Sequence, residues 1–323
     1  MSDSTGHVPF TDVDLDLPDR REGKVRISWA LPRDQRLMVT TDRLSAFDRV
    51  ISAVTYKGQV LNQLSAWWFD QLSGVLLDHG AGHHLVQVPD PNAMVVHAAH
   101  PLPVEVVVRG HITGVTDTSL WRRYAEGARV IDGHRLPDGL QKNTALPAAI
   151  ITPTTKAHDG GHDQPLSPAQ VTQRGLVDSE LWDQVMATAL AVFERGVKQG
   201  AAVGLILADT KYEFGLGPQG QLLLIDEVHT PDSSRWWVAD SYQQRLSAGE
   251  EPESLDKEVV RRAFADLDYR GEGPVPNLPP EVWTATSDRY VHAIESLTGQ
   301  PFEPGASPVA PRLISNLEEA CLL

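Results

Sequence analysis

The chain of 323 residues predicts a mixed helix-and-strand fold, built as two domains or as one large α/β unit with two lobes. Three observations lead there. The length exceeds what one small core needs, and 41% hydrophobic residues can fill a larger one. Short apolar runs of strand length also stand beside longer stretches with helical spacing.

Residues 1–20 carry Asp12, Asp14, Asp16 and Asp19 and are expected to form a disordered acidic lead-in. Residues 22–29 and 36–41 read as strands joined by Pro32-Arg33-Asp34-Gln35. Residues 41–48, dense in short polar side chains, suit a strand end or a capped turn entering a helix. Val60, Leu61, Leu64, Trp67, Trp68 and Leu72 recur at helical spacing, so 57–72 is a core-facing helix with the tryptophans in the core. Residues 104–108 form a buried strand ending at Arg109-Gly110, and 125–168 is a long, functional loop. A helix over 179–199 precedes a hairpin, followed by helices over 255–267 and 280–297. A linker at 301–311 and a terminal helix near 313–322 close the chain, which shows no internal repeat.

A formal net charge of −15 argues against nucleic acid as a partner, since a phosphate backbone demands a basic surface. Small anions need only a local basic pocket. Cys321 is the single cysteine, so no intrachain disulfide forms and no Cys/His cluster suggests zinc. No signal pattern or membrane-length apolar run is visible, which predicts a soluble cytoplasmic protein without a membrane partner. A homo-oligomer is left open, with Cys321 and the terminal helix as candidate contacts.

The densest chemistry lies over residues 209–235. Residues 205–207 and 222–225 read as buried strands, and Gly217-Pro218-Gln219-Gly220 supplies the turn. Asp209, Lys211 and Glu213 are two apart and share one strand face; pairing brings Asp226 close to it. Carboxylates gathered on a buried strand repel unless a cation sits between them, and hard oxygen ligands suit Mg²⁺, which usually travels with phosphate. Four further clusters offer anion contacts: Gly23-Lys24-Val25-Arg26 at a strand turn, Arg109 at a strand end, Lys156 with His162 and Asp163 in the loop, and Ser234-Arg235 after the hairpin. Acids for a metal beside Lys and Arg for phosphates equip an enzyme that uses a nucleoside triphosphate. No P-loop, GxGxxG, HRD or DFG sequence is present.

In this order the motifs resemble the SAICAR synthetase (phosphoribosylaminoimidazole-succinocarboxamide synthase) family, in its longer-chain branch. They are GKVR (23–26), TTDRLSAFDR (40–49), KGQVLNQLSAWW (57–68), VVRGHITG (107–114), TDTSLW (116–121), TPTTKA (152–157), HDQPLS (162–167), DTKYEFG (209–215) and IDEVHTPDSSRWW (225–237). The resemblance covers roughly residues 20–300.

It implies a two-lobed α+β fold: a small β-rich, kinase-like lobe over 21–106 and a larger, ATP-grasp-like lobe over 107–300, with 301–323 a linker and terminal helix. The implied reaction joins 5-amino-4-carboxyimidazole ribotide to L-aspartate at the expense of ATP, in purine synthesis. By the family pattern, Glu213 and Asp226 hold Mg²⁺ on the nucleotide, and Gly23, Lys24, Val25 and Arg26 cover its phosphates. Arg109, Asp209, Lys211, Ser234 and Arg235 surround the ribotide, while Lys156, His162 and Asp163 lie near the aspartate.

Three positions depart from the pattern. Ile27-Ser28-Trp29 follows GKVR where the family has Asp-Ile/Leu-Tyr; His111 replaces a tyrosine; and Val115 replaces a serine near the ribotide phosphate, with Ser119 and Thr118 as candidate substitutes. They admit a paralogue performing the same ATP-driven amide formation on a related heterocyclic carboxylate, as in nucleoside-antibiotic synthesis. A different class of reading is a non-catalytic nucleotide-binding regulator.

Overall fold

The computed structural model describes residues 8–323 apart from 48, 117, 157–162 and 270. In chain order its elements are β1 (Arg21–Glu22), β2 (Arg26–Leu31), β3 (Gln35–Thr40), β4 (Arg43–Ala46), β5 (Arg49–Ala53), α1 (Lys57–Asp78), β6 (Ala81–His83), β7 (Leu85–Asp90), β8 (Ala93–His97), β9 (His100–His111), α2 (Leu120–Ala125), β10 (Val130–Ile131), β11 (His134–Arg135), β12 (Ala145–Ile151) and β13 (Thr154–Thr155). There follow α3 (Pro168–Gln173), α4 (Ser179–Ala202), β14 (Leu205–Leu216), β15 (Leu222–Ile225), β16 (Ser234–Val238), α5 (Ala239–Ser247), α6 (Glu258–Ala265), α7 (Pro280–Thr298) and α8 (Val309–Glu319).

The smaller main sheet is antiparallel, in the order β1-β2-β3-β8-β7. One face buries Ile27, Trp29, Leu37, Val39 and Val95 against Val309, Leu313 and Leu317 of α8. Phe10, Val13 and Leu15 join the same cluster, so the expected disorder of the lead-in is corrected for residues 8–20. The segment Thr11-Asp-Val-Asp-Leu-Asp-Leu17 alternates with a period of two. Its acids therefore face water while Val13 and Leu15 point inward. Charge density concealed an amphipathic extended segment. Residues 1–7 lie outside the described residues.

The larger sheet runs β12-β9-β14-β15-β6, with β13 on β9 and β16 on β14. Strands β15 and β6 are parallel, while β9, β14 and their other partners are antiparallel. Strand β9 alternates cleanly, and β14 does so beyond an irregularity between Leu207 and Asp209 that shifts its phase by one residue. Val104, Val106, Val108, Tyr212 and Phe214 enter a core formed with Leu64 and Trp68 of α1, Val185 and Val192 of α4, and Tyr290 and Leu297 of α7. Burial of each such aliphatic side chain contributes about 1.5–3 kcal/mol, which fixes which face turns away from the core.

A boundary at 106/107 fails, because it cuts through β9. Helix α1 also packs in the large core, β6 pairs with β15, and α8 returns to the small sheet. The chain crosses between lobes more than once, following its apolar faces rather than its sequence order. Other bounds shift for local reasons. The α1 stripe continues through Leu76, and α8 begins before 313 because Pro311 sits in its first turn, where a missing N–H is tolerated. Helix α6 is shorter than expected, since Asp256 accepts from the Glu258 amide at 2.6 Å at its start. Residues 43–46 and 49–53 pair as β4 and β5 rather than entering a helix, and the region 125–168 contains the strands β10 to β13.

Candidate active-site cleft

A cleft of about 810 Å³ is lined from both main sheets. Nine Lys and Arg residues face it against eight Asp and Glu, so it is nearly charge-balanced in a chain of net charge −15.

Strand β14 builds the floor. Asp209, Lys211 and Glu213 line the cleft, while Tyr212 and Phe214 occupy the opposite, core face. Strand register then places partners directly across. Asp209 lies opposite both Arg109 of β9 and Arg235 of β16, and its Oδ2 accepts from them at 3.1 and 2.5 Å. Arg109 also donates to the Thr152 hydroxyl at 2.8 Å. Two guanidinium groups are thus held apart by one shared carboxylate, with forks that suit an oxyanion.

Four residues along, Glu213 lies opposite Glu105. The Lys211 ammonium bridges them, at 2.6 Å from Glu105 and 3.3 Å from Glu213, and Lys156 donates to the other Glu213 oxygen. Burial is the largest influence on Glu213 and opposes its ionisation, but Lys211 and Lys156 together hold its pKa below the usual value. Burial raises that of Glu105. Lys211 is held firmly protonated; burial opposes its charge, and Glu213 and Glu105 outweigh that.

After β15 the chain turns sharply. Asp226 and His229 take left-handed backbone angles, φ 66° and 54°. Arg26, on β2 of the other sheet, donates to Asp226 at 2.5 Å and to Glu227 at 2.9 Å. Burial, with help from Glu213 and Glu227, still pushes the Asp226 pKa up to about 6. His229 is fully buried; its Nε2 and the Tyr212 hydroxyl share a hydrogen bond of 2.5 Å, and the Trp236 indole donates to its carbonyl at 2.9 Å. Three residues on, Asp232 meets Lys57 at 2.8 Å, Lys257 at 3.9 Å and the Tyr290 hydroxyl. Burial opposes its charge, yet Lys257 and Lys57 hold its carboxyl well below the usual carboxylate range. The loop is therefore pinned at both ends, into the core by His229 and to helices by Asp232.

Of the residues singled out in the sequence, Gly23, Lys24, Val25, Arg26, Arg109, Asp163, Asp209, Lys211, Glu213, Asp226, Ser234 and Arg235 line this one cleft. Lys156 reaches it through Glu213. Ser119 does not line it. Its hydroxyl caps α2, accepting from the Arg122 amide at 3.4 Å. His162 lies outside the described residues.

Sequence reasoning missed Glu105, Glu227, Lys57, Asp256 and Lys257. Glu105 alone had a readable signal, being in phase with Arg109 on a valine-rich strand. Of the residues that depart from the family pattern, only Ser28 lines the cleft; Ile27, His111 and Val115 stand clear of it. Ile27 is in the small-lobe core, His111 packs edge-on to Trp237, and Val115 is 49% exposed.

The donor set was tested against a divalent cation on a nucleotide. Among the described residues no three His, Cys, Asp or Glu groups form a metal cage. Glu213 and Asp226 provide two carboxylates close enough for Glu213 to oppose Asp226 ionisation. Two carboxylates, with phosphate oxygens completing the shell, are the usual provision for Mg²⁺. The Gly23–Val25 turn, together with apolar Met38, Val96 and Ile225, offers a wall that a base and its phosphates fit. The residues fit.

Comparison with known proteins gives a consistent result. The family model described as SAICAR synthetase matches residues 19–276. A phosphoribosylaminoimidazole-succinocarboxamide synthase of Legionella pneumophila (strain Lens) is 43% identical over 316 residues, covering 96% of this chain and 99% of its own. The solved SAICAR synthase of Saccharomyces cerevisiae complexed with SAICAR superposes with a TM-score of 0.76 at 31% identity, over 91% of this chain and all of its own. A type-2 SAICAR synthetase in complex with ADP gives 0.66 at 26% identity, over 88% of this chain and 100% of its own.

Proposed function

Because this chain belongs to the SAICAR synthetase family, we propose that it is an ATP-dependent ligase that joins the carboxylate of 5-amino-4-carboxyimidazole ribotide to the amine of L-aspartate. The observation that carries this reading is the cross-strand row of charges on the cleft floor, Arg109–Asp209–Arg235 followed by Glu105–Lys211–Glu213.

An amine does not displace an oxide from a carboxylate, so one oxygen must first become a leaving group. Transfer of the terminal phosphoryl group of ATP to the ribotide carboxylate gives an acyl phosphate and ADP. Attack by the aspartate amine then releases phosphate and forms the amide. Such transfer depends on positioning and charge neutralisation rather than a protein nucleophile. Lys24 and Arg26 face the phosphates, and Lys211 lies beside the transferring group. Arg109 and Arg235 anchor the ribotide's anionic groups, with Ser234 beside them. Lys156 and Asp163 border the aspartate end. Glu213 and Asp226 would hold Mg²⁺, which lowers the charge repulsion between the phosphates and an incoming carboxylate.

Of the departing residues only Ser28 faces the cleft, where its hydroxyl accepts from Arg36, while Ile27, His111 and Val115 stand clear of it; this favours the purine intermediate over a related heterocycle. The test is release of ADP in the presence of the ribotide, aspartate and Mg²⁺. Release that requires both co-substrates, with amide product, is expected. ATP binding without co-substrate-dependent turnover would sink the reading.

A further inference from the structure

We propose that Lys257 is an anion-recognition residue of the cleft, binding a carboxylate or phosphate group of one co-substrate with Arg261 alongside. The reading rests on the proposed function only for the identity of that co-substrate.

Two positive side chains and a hydroxyl converge on Asp232. Lys57 is fully buried and takes the carboxylate at 2.8 Å, and the Tyr290 hydroxyl takes its other oxygen. Lys257 is left at 3.9 Å, beyond hydrogen-bond reach, and no other acceptor meets its ammonium among the described residues. One carboxylate therefore faces two ammonium groups, an excess of one positive charge in a largely dehydrated place.

Burial lowers the Lys257 pKa, and with repulsion from Arg261 and Lys57 it outweighs the attraction of Asp232 and the smaller one of Glu227. A buried charge is normally paired; this one is paired poorly. Its direction resolves the puzzle. Lys257 and Arg261 both line the cleft, on the wall that also carries Arg235 and Ser234. Arg261 is engaged by Glu258 at 3.3 Å and keeps other N–H groups available. An incoming oxyanion would complete the Lys257 coordination and relieve the repulsion at once. Lys57, with no exposure, cannot serve this way.

The test uses the whole enzyme and two variants. Lys257→Met keeps the stem and removes the charge, and Lys257→Arg restores charge. A charge-assisted hydrogen bond of this kind predicts a rise of about 10- to 100-fold in KM for one co-substrate, with KM for ATP within about twofold and substantial recovery in Lys257→Arg. A rise confined to aspartate assigns a carboxylate; one confined to the ribotide assigns its anionic groups. Calorimetric titration with L-aspartate alone and with inorganic phosphate alone reads the site without turnover, so it stands even if the enzyme proves to use other substrates. Weaker binding of one probe to Lys257→Met supports the assignment. Equal binding of both by variant and wild type, or no binding of either to the wild type, overturns it.

Discussion

Arg26 and Asp226, 200 positions apart, meet at 2.5 Å and tie the small sheet to the large one across the cleft. The same guanidinium reaches Glu227 at 2.9 Å. It is held protonated by those two carboxylates, which outweigh the opposing effect of burial. One side chain therefore links lobe geometry to the residues proposed to carry metal and phosphate.

Arg26→Gln should raise KM for ATP about 10- to 100-fold, the worth of charged hydrogen bonds to phosphate, and leave the melting temperature within a few degrees. Steady-state kinetics with thermal unfolding check both. An unchanged KM would separate the lobe contact from nucleotide binding.

Glu213→Gln keeps the shape of the side chain and removes its charge. Both Lys156 and Lys211 lose their shared anion. Mg²⁺ affinity in the presence of ADP should fall at least about tenfold, together with kcat. Titration of Mg²⁺ at fixed ADP is the direct measurement. Unaltered metal affinity would move the metal site elsewhere.

Asp232→Asn should cost about 3–5 kcal/mol of stability at neutral pH, since it strands Lys57 and Lys257 without their counter-charge. The Asp232 pKa is depressed in the folded state, so its contribution is present above the ordinary carboxylate range and is lost as pH falls. Denaturant unfolding at pH 7 and near pH 2 should show a wide gap between variant and wild type that narrows only in strong acid, below the ordinary carboxylate range. A gap independent of pH would assign the loss to packing.

Asp256 behaves in the opposite sense. Burial is the main cause of its rise to about 6, and its Oδ2 has no hydrogen-bond partner among the described residues. A raised carboxylate pKa means that the folded state binds the proton more tightly, so stability falls as pH climbs from the unfolded value near 4 through 6. Asp256→Asn keeps the acceptor for the Glu258 amide and removes the charge. It should stabilise the protein by up to about 3 kcal/mol at pH 8 and by about half that at pH 5. Equal effects at both pH values would contradict the assignment.

Much of the site was legible because strand alternation is a local rule. Asp209, Lys211 and Glu213 had to share a face once β14 was read as a strand, and the turn after it had to bring Asp226 near. The helix over 57–72 and the strand over 104–108 followed from apolar spacing in the same way. The lead-in shows the limit: its acids were counted, while the alternation that buries Val13 and Leu15 was overlooked.

The sequence by itself determined the family, the main elements and the set of charged groups that face one another along β14. Tertiary structure alone decided how those charges are divided. Register across β9, β14 and β16 makes Asp209 the shared partner of Arg109 and Arg235, and chain return from α1, α6 and α7 brings Lys57, Lys257 and Tyr290 to one buried carboxylate. Such pairings depend on distance through space and on loss of water, and neither is encoded in the spacing of residues along the chain.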